Sequence, residues 1–341
     1  KEFVTACTEG RLACLLNTSA EVVVNQSFKL PLRPRLYGGV GIAPAVDGVE
    51  LDRLPWELMD EGRFNTKVPV LLGHTRDEGT YGVTNGLPHT RIFLKAFDMT
   101  AGDFVRLLTS ARFSVDSEQL PRILDVYSVN SSGGEPNYSS WYWVAAHFSG
   151  DYEFTCPCRR MARALSRSSD SSVFAYYYAH TPLILPRATE SGVRKPGTRN
   201  RTMPGTAGSS HGFDIPFFFL VRDGGRRAQR IAMRGDKEEL LGKTLAGYLI
   251  NFARNSDPNI PGRQGRPTRT DLTINWEPFT EARETSLRVG LPALSAALGR
   301  NDRQCDVVDG LGVLPFAVPP EVPGRREPPE KRWCLKSFVY T

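Results

Sequence analysis

Nowhere in this chain do about eighteen apolar residues run together, which excludes a membrane-spanning helix. No unit recurs at a fixed period, so repeat architectures are excluded too. Cysteine is sparse, with six residues at Cys7, Cys14, Cys156, Cys158, Cys305 and Cys334. Only Cys156-Pro157-Cys158 is closely spaced, and no second His or Cys pair completes a tetrahedral zinc set. No metal or organic cofactor is implied. The chain opens Lys1-Glu2-Phe3-Val4 without a methionine or an apolar signal region, so we expect either that a targeting segment has been removed or that this is the downstream part of something longer.

What is present points to a folded protein. The chain has 341 residues, 40% of them hydrophobic, enough to bury a large core in one big or two modest domains. The net charge is +6, with arginines at Arg222, Arg226, Arg227, Arg230 and Arg234. No stacking aromatics or recognition motif accompany them, so a solvated face is the better reading and no nucleic-acid partner is expected. Five Asn-x-Ser/Thr sequons occur, at Asn17, Asn25, Asn130, Asn137 and Asn200. Together with an even cysteine count they indicate glycosylation, disulfides and the secretory pathway or cell surface.

Hydrophobic patterning places the elements. Phe3 to Val24 reads as mainly helical, broken near Gly10. Val68 to Gly73 is a short apolar run ending in glycine, the pattern of a buried parallel strand. Helices are expected over Phe104 to Arg112, Leu120 to Tyr127 and Ser139 to Phe148. Another is expected over Asp151 to Ser166, with Phe154, Met161 and Leu165 on one side. Ser172 to Tyr178 is aromatic and β-branched, a second strand. Pro186 to Ser209 reads as a loop, and Asp236 to Arg254 as a helix with Leu241, Leu245, Tyr248 and Phe252 at helical spacing. The proline-rich, charged residues 311–341 are expected to extend away from a domain spanning 1–310. Strands separated by helices give an α/β fold with a mainly parallel sheet.

Two residues carry the chemistry. Glu78 follows the first strand by a few residues, where catalytic groups of open α/β sheets gather. An acid there can orient an imidazole; the structural alternative is that Asp77-Glu78-Gly79 is only a turn. His211 sits on a loop before the apolar Ile215 to Leu220, and can move a proton near neutral pH. Its alternative is an ordinary surface histidine. His89, His147 and His180 have weaker claims, lying in a turn or in regular elements. The literal Gly208-Ser209-Ser210-His211-Gly212 is not a nucleophile elbow, because no apolar strand precedes it.

In order along the chain, Pro44-Ala45-Val46-Asp47-Gly48, Val68 to Gly73 with Asp77-Glu78-Gly79, Gly150-Asp151-Tyr152-Glu153-Phe154-Thr155-Cys156-Pro157, His211-Gly212-Phe213-Asp214-Ile215 and Asn251 to Asn259 resemble motifs of the type-B carboxylesterase/cholinesterase family of α/β-hydrolases. Asp214 and Ser256 stand where that family's pattern has Glu and Gly. The resemblance covers roughly residues 40 to 310. It implies the carboxyl-terminal part of an α/β-hydrolase sheet flanked by helices, with Glu78 as triad acid and His211 as base. It also implies an ester substrate, and a nucleophilic serine lying in an upstream part of the same domain. A non-catalytic adhesion or interaction module and an inactive fragment are the alternatives. The resemblance further pairs Cys156 with Cys305, and likens Cys7 and Cys14 to a short upstream disulfide that requires a chain turn near Gly10. That leaves Cys158 and Cys334 to pair with each other or to link two chains.

Overall fold

The computed structural model describes residues 16–27, 46, 48–84, 99–110, 113–129, 138–168, 170–183, 208–221, 233–261, 270–299 and 302–311. In chain order these form helices α1 (Ala20–Ser27) and α2 (Pro55–Asp60), strand β1 (Val70–Thr75), and helices α3 (Gly79–Thr84), α4 (Ala101–Leu108), α5 (Leu120–Val126) and α6 (Trp141–Gly150). A π-helical turn (Asp151–Thr155) leads directly into α7 (Cys156–Ser168), followed by strand β2 (Val173–Tyr178) and helices α8 (Ile215–Phe218) and α9 (Gly235–Asn255). Strands β3 (Thr285–Val289) and β4 (Ser295–Leu298) and helix α10 (Asp302–Asp309) complete the described chain.

The sheet order is β1-β2-β3-β4. β1 and β3 both run parallel to β2, and β4 returns antiparallel to β3. The mainly parallel sheet expected from the sequence is therefore present. β1 is its outermost described strand on that side, and its first five residues are half-buried. The first strand begins two residues later than the apolar run, and Val68 is exposed.

Alternation along β2 divides the core into two layers, because successive side chains leave a strand on opposite faces. Val173 and Ala175 join Ala162 and Leu165 of α7 with Phe279. Phe174 and Tyr178 join Leu241, Leu245 and Tyr248 of α9 with Phe217, Leu287 and Trp276. Trp276 is almost fully buried, and its indole N–H donates to the Ala175 carbonyl at 2.9 Å, so the aromatic surface is hidden without orphaning its polar atom. Burying each such side chain is worth about 1.5–3 kcal/mol. α9 ends where Ser256 turns left-handed at φ +61°, a conformation glycine adopts without the Cβ penalty.

A third cluster gathers α4, α5 and α6 around Phe104, Phe113, Tyr127 and Phe148. α6 is apolar nearly all round, as a core helix must be, and Ser140 caps its start by accepting from the Trp143 amide. Thr100 and Asp103 cap α4 reciprocally, so that helix starts at Ala101; it ends at Leu108, and Arg112, where the sequence places its end, lies outside the described residues. The expected helix at Asp151 also differs. Met161 is exposed, while Ala162 and Leu165 are buried against the sheet and Phe154 leaves the helix in another direction.

Cys156 and Cys305 are joined, tying α7 to α10 across 149 residues of sequence. Cys158 carries a free thiol. Arg159 of α7 pairs with Glu284, Asp302 and Asp306, and Arg160 with Asp309, so ion pairs surround the disulfide. Among the sequons, Asn17 and Asn25 are exposed. Asn130, Asn137 and Asn200 lie outside the described residues, as do Cys7, Cys14, Cys334, the loop before Gly208 and the tail after Leu311. No described helix is long and apolar enough to cross a membrane.

Candidate active site

β1 ends at Thr75, and three residues later Glu78 stands at the start of α3. The chain can leave the strand this tightly because Gly79 and Gly150 meet where α3 crosses α6. A Cβ on Gly79 would fall 1.9 Å from the Ala146 carbonyl oxygen, and one on Gly150 would fall 2.9 Å from the Gly79 amide nitrogen. The crossing presses the backbone at Glu78 against α6, leaving that residue only 6% exposed. One carboxylate oxygen of Glu78 accepts from the Thr75 amide at 2.7 Å, so the acid folds back onto the end of its own strand.

The other carboxylate oxygen meets His211 Nδ1 at 2.6 Å, although the two residues lie 133 positions apart. A carboxylate only accepts, so the contact places a proton on Nδ1. The imidazole side chain is 39% exposed, and its ring lies 4.7 Å, centroid to centroid, from that of Phe154. The Glu78 hydrogen bond raises the His211 pKa above the ordinary 6.5, against the opposing effect of burial and with help from the charges of Glu78, Asp214 and Glu153. A raised folded-state pKa stabilises the fold below the unfolded value, and that contribution is lost as pH rises through the folded value. An NMR titration of the His211 ring is accordingly expected to have its midpoint above 6.5 in the native chain and to return near 6.5 in denaturant. A native midpoint at or below 6.5 would contradict the pairing.

Asp77, the neighbour of Glu78, is read in the sequence as part of a turn and of the Asp77-Glu78-Gly79 motif, with no role of its own. It is 1% exposed, and its carboxylate accepts from the Ser209 amide at 2.6 Å and from Arg76 Nε at 3.0 Å. Its own amide donates to the Ser209 carbonyl at 2.9 Å, and an isolated parallel bridge joins Asp77 to Ser210. Ser209 Oγ donates to the Tyr178 carbonyl, and Thr80 Oγ1 donates to Ser210 Oγ at 2.9 Å. Gly208 enters this junction at φ +57°, and a Cβ there would lie 2.1 Å from the Asp77 carboxylate. The acid loop and the histidine loop are thus stitched together beside the residues that carry Glu78 and His211. The one signal in the sequence was the repeated adjacency: Asp77 before Glu78, and two serines before His211.

Asp214, three residues beyond His211, accepts from the Tyr176 hydroxyl at 2.7 Å. Burial pushes its carboxyl above the usual range, the charge of Glu78 adds to this, and the tyrosine bond opposes it. Burial also pushes the Cys158 thiol up to about 12, with the charge of Glu78 adding to it. That sulfur stays protonated near neutral pH, which rules it out as a nucleophile beside the histidine. Ser210 is 1% exposed and engaged by Thr80, so it is no more available for attack than its sequence context suggested.

The other described histidines have partners of their own, and His74 Nδ1 lies 3.0 Å from the Thr75 carbonyl oxygen. His147 Nε2 lies 3.6 Å from Asp77 Oδ1 inside the core. His180 Nε2 contacts the buried Glu238 at 2.8 Å, and Glu238 also accepts from the Leu183 and Arg234 amides. No cluster of His, Cys, Asp and Glu suited to a metal ion occurs among the described residues.

The Carboxylesterase family model matches residues 4–308 of the chain. Acetylcholinesterase 1 of Caenorhabditis elegans is 28% identical over 235 residues, covering 66% of this chain and 34% of that protein. Acetylcholinesterase 1 of Caenorhabditis briggsae is 29% identical over 234 residues, with the same coverage of 66% and 34%. Pyrethroid hydrolase Ces2a of Mus musculus is 25% identical over 264 residues, covering 76% of this chain and 40% of that protein. The chain spans about a third to two fifths of the length of these curated relatives.

Proposed function

We propose, from the premise that this chain belongs to the carboxylesterase family and so has the α/β-hydrolase fold, that it supplies the acid and base of a serine esterase site. The observation that carries this reading is the 2.6 Å contact between Glu78 and His211 Nδ1. With a proton fixed on Nδ1, the opposite ring nitrogen is the basic one. His211 takes the proton of a serine hydroxyl as that oxygen attacks the ester carbonyl, and returns it to the departing alkoxide. Glu78 holds the tautomer and stabilises the imidazolium between the two transfers. Water then repeats the sequence on the acyl-serine, freeing the acid.

The serine belongs to polypeptide outside this chain. Ser210 is buried and bonded, and β1, as outermost described strand, offers an edge on which a further strand can pair. The substrate class is a carboxylic ester. The Cys156–Cys305 disulfide and the sequons favour an oxidising, secretory or cell-surface setting for the whole protein. A non-catalytic interaction module is the second reading, favoured by the absence of an elbow serine from the 341 residues.

Mixing the purified 341-residue chain with an activated aryl ester is expected to give no stoichiometric burst of phenol. Polypeptide that adds an upstream strand with a Gly-x-Ser-x-Gly elbow is expected to give one. A burst from the chain alone would place the nucleophile inside it, with Ser210 first in question. No burst from the completed domain would leave the interaction module.

A further inference from the structure

We propose that Phe154, which lies in the π-helical turn between α6 and α7, is a positioning residue for His211; the proposal rests on reading His211 as the base of the site.

The chain from Trp141 to Ser168 is helical throughout, but its register changes once, between Asp151 and Thr155. There the Cys156 amide donates to the Asp151 carbonyl, five residues back instead of four. A turn of this kind inserts one residue and rotates the downstream helix by roughly 100°. Both flanks of the insertion are anchored. Upstream, Asp151 accepts from the buried Tyr127 hydroxyl at 2.9 Å, and the Tyr152 ring packs on Phe113 at 5.0 Å. Downstream, Thr155 is buried beside His74, and Cys156 is held by its disulfide to Cys305. Tyr152 and Cys156, four residues apart, both join the core cluster that contains Cys305, while Phe154 between them leaves on another side. The ring of Phe154 arrives 4.7 Å from that of His211 at an interplanar angle of 38°.

The contact has a chemical consequence. Glu78 holds the imidazole through Nδ1, and the Phe154 ring packed 4.7 Å away adds an apolar restraint on its rotation. The groups whose charge reaches His211 (Glu78, Asp214 and Glu153) then act on a ring of fixed orientation. A base that must alternate between a serine and a leaving alcohol gains from such confinement, because reorienting the ring would otherwise precede each proton transfer.

The test reads the ring itself in the full 341-residue chain, with no ester present, so its outcome is separable from that of the hydrolysis assay. Side-chain nitrogen shifts report the tautomer of neutral His211, and solvent exchange reports protection of the Nδ1 proton. In F154L, which keeps apolar bulk but loses the ring, a mixture of tautomers and exchange roughly two- to tenfold faster are expected, the factor to which an aromatic pair corresponds. F154Y, which keeps the ring, should match the parent chain. If F154L also matches the parent, or if F154Y is disturbed as much as F154L, the position only fills space and the proposal fails. Should F154L not fold, nuclear Overhauser contacts between the Phe154 and His211 rings in the parent chain decide: their presence supports the proposal and their absence overturns it.

Discussion

Replacing Glu78 by glutamine in a polypeptide that completes the domain is expected to lower ester turnover by about 10⁴-fold, the loss seen when an amide replaces the carboxylate of a hydrolytic triad. The reason lies in how the residue is held. One oxygen of Glu78 accepts from the Thr75 amide at 2.7 Å, and the other meets His211 Nδ1 at 2.6 Å. A glutamine has one acceptor and one donor. Its carbonyl best satisfies the Thr75 amide, which turns its NH₂ toward His211. Nδ1 must then accept, the imidazole proton moves to the other nitrogen, and the base can no longer take a proton from serine. The imidazolium formed in the reaction also loses its counter-charge. Circular dichroism and thermal midpoint should change little, because the amide fills the same space. A turnover within tenfold of the parent, with fold intact, would remove Glu78 from the site.

The second large effect concerns the Cys156–Cys305 bridge. Closing a loop across 149 residues restricts the unfolded chain by about 5 kcal/mol in the chain-entropy treatment, an upper value since engineered and native bridges deliver about 2–5. Both cysteines are fully buried, so alanine at the two positions clashes with nothing and leaves only a small cavity. The double variant C156A/C305A is therefore expected to lose about 3–5 kcal/mol of unfolding free energy in urea. Arg159, Arg160 and their acidic partners keep α7 and α10 in register, yet many of these groups are exposed and each pair is worth at most about 1 kcal/mol. A loss below about 1 kcal/mol would mean that the ion pairs and packing alone close the loop.

The elements legible in the sequence were those whose local pattern is strong. β2 shows as an aromatic and β-branched run, and α9 through Leu241, Leu245 and Tyr248, all three buried as their spacing implied. β3 and β4 gave no comparable signal. Thr285-Ser286-Leu287-Arg288-Val289 has only two large apolar residues, and Ser295-Ala296-Ala297-Leu298 is mostly small and exposed. Their strand character comes from pairing to β2 and to each other, a preference supplied by neighbours and not by the segment. The π turn was invisible as well. Nothing in Asp151-Tyr152-Glu153-Phe154-Thr155 disfavours an ordinary helix, and the register change shows only in the bond from the Cys156 amide to the Asp151 carbonyl.

Taken by itself, the sequence determined that this is an α/β chain, that it resembles the carboxylesterases, and that Glu78 and His211 merit attention, because hydrophobic period and short motifs are local properties. Tertiary structure alone decided that these two side chains meet. It also decided that Asp77 fastens their loops together, and that Phe154 faces the imidazole instead of sharing a side with Met161. A hydrogen bond between residues 133 positions apart depends on how the sheet and its crossing helices pack, and sequence spacing carries no distance across such a fold.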